Sequence, residues 1–104
     1  MTETINKIKA ALEEAYQEHN RLDGVFAVSQ QRIETWARQI EFIQKHPKYN
    51  SLEDEKTLKR YIEEEKEFNL EIVEKIYDLE DLIRSLEVAC SFADIFKKTY
   101  LEEE

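Results

Sequence analysis

The sequence predicts an all-α fold, a long antiparallel two-helix coiled-coil hairpin, and three observations predict it. Apolar residues alternate by three and four through each half of the chain. The only proline, Pro47, stands between the two series, and a single glycine, Gly24, leaves almost no other turn chemistry. A content of 41% hydrophobic and 38% charged residues matches long helices rather than a sheet protein. The length fits a single helical-hairpin domain spanning residues 1–104.

The first helix is expected over about residues 4–45. Ile5, Ile8, Leu12, Ala15, His19, Leu22, Phe26, Ser29, Ile33, Trp36, Ile40 and Ile43 form one seam with the a/d spacing of a coiled coil. Gly24 lies off that seam. The register is unbroken on both sides of it, so the helix is expected to continue through. A break at "LDG", giving a three-helix bundle, is the alternative. Pro47 lacks an N–H and pushes His46 out of helical geometry, so the helix must end near Lys45.

The turn is expected over about 46–51. Ser51 followed by Asp54 is a capping-box-like start for a second helix over about 52–101. Its seam is read as Leu58, Tyr61, Glu65, Phe68, Ile72, Lys75, Leu79, Leu82, Leu86, Ala89, Ala93, Phe96 and Tyr100. A loop this short makes the helices antiparallel neighbours. Facing positions then sum to about 101 if Ile43 meets Leu58. That register sets Trp36 near Tyr61 and Glu65, with the indole N–H in reach of Glu65, His19 near Leu82, and Ile8 near Ala93.

The second helix carries more apolar surface than one seam uses. Ile62, Ile76, Ile83 and Cys90 widen the seam stripe, while Leu70, Val73, Tyr77, Val88, Phe92 and Ile95 recur at helical spacing mostly away from it. A helix apolar on most sides is buried by more than one neighbour. Those six residues are therefore the expected partner-binding face, completing a four-helix bundle with another helical protein or with a second copy.

The formal charge is −9. It is unevenly spread: residues 1–46 have a net of −1 and residues 47–104 a net of −8. Such acidity argues against binding nucleic acid or an anionic membrane, both of which need clustered Lys and Arg. No signal sequence and no membrane-length apolar run is visible, so no membrane insertion is expected and the expected location is cytoplasmic, with export possible only without a cleaved signal.

The residues offer little catalytic chemistry, and no enzyme activity, metal or cofactor is expected. His19 and His46 have no companion at metal-ligand spacing, and Cys90 is the only cysteine. One acidic pattern is worth naming. Glu63, Glu64 and Glu67, followed by Asp78 and Asp81, loosely resemble the paired carboxylate segments of MazG-type nucleotide pyrophosphohydrolases, a resemblance that implies Mg²⁺ held beside a phosphate substrate. That family sets the two segments on separate helices, whereas here one uninterrupted helix carries both. A solvated acidic face with i,i+4 pairs such as Glu71–Lys75 is the favoured reading.

Over its whole length, the hairpin with its central turn and surplus apolar face resembles the WXG/ESX-type superfamily, in particular the small helical partner proteins of LXG toxins in type VII secretion. The W-x-G of that superfamily is absent: Trp36 precedes a turn reading "HPKYN". Tyr100 and Glu104 fit its Y-x-x-x-[D/E] export signal, a pattern that Tyr61 with Glu65 and Tyr77 with Asp81 also fit. The resemblance implies a chaperone-like module that pairs side by side with another helical hairpin. Small acidic phage-type inhibitors that mimic nucleic acid are the competing class. For that class the acidic surface of Glu63, Glu64, Glu67, Asp78 and Asp81 would meet a basic protein.

Overall fold

The computed structural model describes residues 2–46, 48 and 52–101, apart from the side chains of Leu52, Tyr100 and Leu101. Two long α-helices pack as a hairpin. Helix α1 runs Thr2–Lys45 and α2 runs Leu52–Phe96, followed by a π-helical turn at Lys97–Leu101. Acidic residues open both helices, Glu3 in α1 and Glu53, Asp54 and Glu55 in α2, and Lys45 closes α1, each charge placed to oppose the helix dipole. The amide of His46 reaches the carbonyls of Phe42 at 3.0 Å and Ile43 at 3.3 Å, which satisfies part of the α1 C-terminus before the turn. Pro47 and Ser51, singled out in the sequence, lie outside the described residues.

Helix α1 passes through Gly24 without a break and without a positive φ. All twelve seam positions expected on α1 are buried or half-buried, among them Ile5, Ala15 and Leu22. The a/d reading of α1 is therefore the packing that forms.

Helix α2 departs from its expected seam by one step from Tyr61 to Leu82, while the expected Ala89 and Phe96 are half-buried. The column Leu58, Glu65, Ile72, Leu79, Leu86 and Ala93 turns inward as expected. The column three residues further on supplies the rest of the seam only at Ala89 and Phe96. Tyr61, Phe68 and Leu82 are exposed, as is Lys75. The inward positions lie four residues on, at Ile62, Asn69, Ile76, Ile83 and Cys90. With these as a and the shared column as d, the displaced set of Tyr61, Phe68, Lys75, Leu82, Ala89 and Phe96 occupies g, flanking the seam. The same lettering puts Ile5 of α1 at a and Ile8 at d.

Contacts divide the hairpin into two compact units, one formed by residues up to Arg21 with those from Ile76 on, and one formed by Leu22–Lys75. In the first, Lys9 pairs with Asp94 at 3.2 Å, and His19 Nε2 lies 3.2 Å from Glu80. In the second, Asn69 reaches Ser29 at 3.2 Å, Arg32 reaches Glu65 at 3.3 Å, and Gln44 reaches Glu55 at 2.9 Å. Facing positions thus sum to between 97 and 103, bracketing the expected 101. Trp36 lies against Tyr61, with centroids 5.6 Å apart. Arg32, rather than the Trp36 indole, is what Glu65 binds, so the acid on the seam is held by a base from the facing helix.

Candidate functional surfaces

A hairpin seam is narrow. Ile5, Ala15, Leu22, Ile72 and Ile83 are the only buried hydrophobic side chains among the described residues, and Ser29 the only buried polar one. A core this thin leaves much apolar surface in water, a costly arrangement for a small domain. The question for function is where that surface lies.

In the unit containing both chain ends, Val88, Phe92 and Ile95 come together. Phe92 is 68% exposed, and the three line a shallow cleft with Glu87 and Ser91. Phe92 and Ile95 also border an apolar groove of about 530 Å³ between the helices, floored by Ile5, Ile8, Ala89 and Ala93. Leu82 adds exposed surface at g. Of the other expected partner residues, Tyr77 is exposed in this unit, while Leu70, exposed, and Val73, half-buried, belong to the Leu22–Lys75 unit. Leu70 and Tyr77 sit at b, Val73 at e, Val88 and Ile95 at f and Phe92 at c, all outside the a/d seam of α2.

The Leu22–Lys75 unit has its own apolar groove, which the sequence does not signal because Thr35, Arg38 and Phe42 of α1 lie off the seam and form no apolar stripe. A cleft of about 580 Å³ near the turn is lined by Phe42, Ile43, Thr35 and Arg38 of α1 and by Asp54, Thr57 and Leu58 of α2. Val28, Arg32, Thr35 and Trp36 line a further depression. Both lie on the g side of the seam.

The electrostatics are those of exposed chains. Hydrogen bonds from Gln44 and then Lys59 hold the Glu55 carboxyl below its ordinary pKa, and Lys45 does the same for Glu41. Desolvation, followed by the charge and hydrogen bond of Glu87, pushes the Tyr16 phenol above its ordinary value. The acidic residues weighed for metal binding are spread along α2. Glu63, Glu64, Glu67, Asp78 and Asp81 are all exposed. Glu64 pairs with Arg60 at 3.9 Å and Asp81 with Arg84 at 3.2 Å. Among the described residues no group of three or more His, Cys, Asp or Glu side chains is placed to hold a metal ion. Nor is any described helix long and apolar enough to cross a membrane. The side chains of the Tyr100–Glu104 pattern lie outside the described residues. No protein family, curated protein or solved structure matches this chain.

Proposed function

We propose that this chain is a non-catalytic protein-binding module that pairs with another helical chain. The observation that carries the reading is the double use of α2. One a/d seam packs on α1, while Tyr61, Phe68 and Leu82 at g and the cluster Val88, Phe92 and Ile95 remain in water. A helix with two apolar stripes at heptad spacing suits a bundle with more members than a hairpin supplies. The resemblance to the small partner proteins of LXG toxins gives this reading a concrete setting, in which the hairpin accompanies a helical toxin segment to a type VII secretion machine.

The test is a binding titration against helical proteins encoded by neighbouring genes, using two variant sets. Phe92→Ser with Ile95→Ser should weaken binding, and the wild-type affinity should change little with salt. Neutralising Glu63, Glu64 and Glu67 should leave it intact. If the neutralised set alone abolished binding, and the affinity fell steeply with salt, the acidic-inhibitor reading would replace this one.

A further inference from the structure

Resting on the protein-binding reading above, we propose that the g-side groove of the Leu22–Lys75 unit is covered by a second copy of this chain, lying alongside with both turns at the same end. In that arrangement α1 of each copy covers α2 of the other.

Apolar and charged side chains are sorted about this unit in a way that selects both the face and the arrangement. Its exposed large hydrophobic residues are Val28 and Phe42 on α1 and Tyr61, Phe68 and Leu70 on α2. All but Leu70 stand at g or c, on one side of the seam. The charges on that side are divided between the helices. From Leu22 to Lys45, every charge at c, f or g of α1 is a base, namely Arg32, Arg38 and Lys45, while the acids of this stretch stand at b or e. On α2 up to Lys75 the same three positions present six acids, Glu53, Asp54, Glu64, Glu67, Glu71 and Glu74, against two bases, Arg60 and Lys75. Arg38 and Glu71 make no ion pair among the described residues, and Glu64 has only the long contact with Arg60. Repulsion between copies is also weaker here than the whole chain suggests. Residues 22–75 hold nine Lys and Arg against twelve Asp and Glu, a net of −3.

Two face-to-face arrangements bring these grooves together. With the turns at opposite ends, α1 covers α1 and α2 covers α2, which sets base on base and acid on acid. With the turns at the same end, α1 covers α2 and the rims are complementary. The levels also agree. Within one hairpin Arg32 is level with Glu65, Trp36 with Tyr61, and Ser29 with Asn69. The same levels hold across a twofold axis parallel to the helices. Arg32 of one copy then comes level with Glu64 and Glu65 of the other, Arg38 comes level with Arg60 one turn away from Glu64, and Val28 comes close to the level of Phe68.

Light scattering on the full chain at physiological salt tests this. The wild type should approach twice its 12.5 kDa as concentration rises. Arg38→Glu and Glu64→Lys each place like charges at both symmetric contacts and should raise the dimer dissociation constant on the order of 100-fold. Both side chains are exposed, so unchanged circular dichroism confirms folding. An equimolar mixture of the two variants restores both contacts, one with its signs exchanged and one as in the wild type, and should recover the dimer. A wild type that stays at monomer mass overturns the proposal, as does a mixture no more dimeric than its components. A monomer that still binds a helical partner through Phe92 and Ile95 would sink self-pairing alone. A chain that binds neither itself nor a helical partner would sink the protein-binding reading with it.

Discussion

Asn69 of α2 donates a hydrogen bond to Ser29 of α1 at 3.2 Å, and Ser29, 1% exposed, is the most buried side chain described. A polar pair on an otherwise apolar seam fixes register, because sliding either helix by a turn would set both groups against hydrocarbon. Asn69→Ala should cost about 1 kcal/mol in urea unfolding, the size of one lost buried hydrogen bond. The double variant Ser29→Ala with Asn69→Leu should recover or exceed wild-type stability while loosening alignment. A cysteine pair introduced at Ile8 and Ala93 reads alignment directly. It should crosslink in the wild-type background and crosslink less selectively, against offset pairs, in the double variant.

Neighbouring residues Leu82 and Ile83 separate the two phases available to α2. Leu82 is 49% exposed at g, and Ile83 is 8% exposed on the seam. Ile83→Ala should therefore cost about 2–4 kcal/mol, while Leu82→Ala in the monomer should cost under about 1 kcal/mol. The reversed order in chemical denaturation would restore the seam first expected from the sequence.

That pair also marks how far the sequence could be read. The α1 seam was legible throughout, since one apolar column follows another with no competing stripe. The end of α1 at Lys45 was legible from Pro47. On α2 the column through Leu58, Ile72 and Leu86 was found, but its companion was ambiguous, because apolar residues stand both three and four positions further on. Counting favoured Tyr61, Phe68 and Leu82. Packing favours Ile62, Ile76 and Ile83, together with Asn69, whose amide finds the Ser29 hydroxyl. That choice depends on the surface α1 offers, which the spacing along α2 does not contain. The candidate surface was legible only at its C-terminal cluster of Val88, Phe92 and Ile95. The g-side groove near the turn was not legible, because Phe42 is the one apolar residue that α1 adds to it off the seam.

Gly24 offers a second stability test. It lies inside α1 without a positive φ, and a Cβ added there would meet nothing within 4 Å. No backbone demand or close approach therefore requires glycine. Gly24→Ala should stabilise the fold by about 1 kcal/mol through helix propensity and a less disordered unfolded chain. Thermal melts followed by circular dichroism measure it. A destabilised variant would show that the helix needs the freedom of glycine at this position.

Acid should weaken the turn end of the hairpin through Glu55. Its carboxylate accepts hydrogen bonds from Gln44 on α1 and from Lys59 one turn along α2, and these hold its pKa below the ordinary value of 4.5. A carboxyl whose folded pKa lies below its unfolded one stabilises the fold fully above the unfolded value. The contribution disappears as pH falls through the folded value, because the unfolded chain then binds the proton more readily. The stability advantage of wild type over Glu55→Gln, taken from urea midpoints, should thus be constant from pH 7 to about 5.5 and shrink steadily below pH 4.5. Glu41, lowered by Lys45, acts in the same direction, but its hydrogen bond stays within α1. Glu41→Gln should therefore flatten the acid limb without changing how the helices meet near the turn, whereas Glu55→Gln should also loosen the contact with Gln44. Amide exchange near Gln44 distinguishes the two, and equal exchange in both variants would mean that the Gln44–Glu55 bond does not tie the helices together.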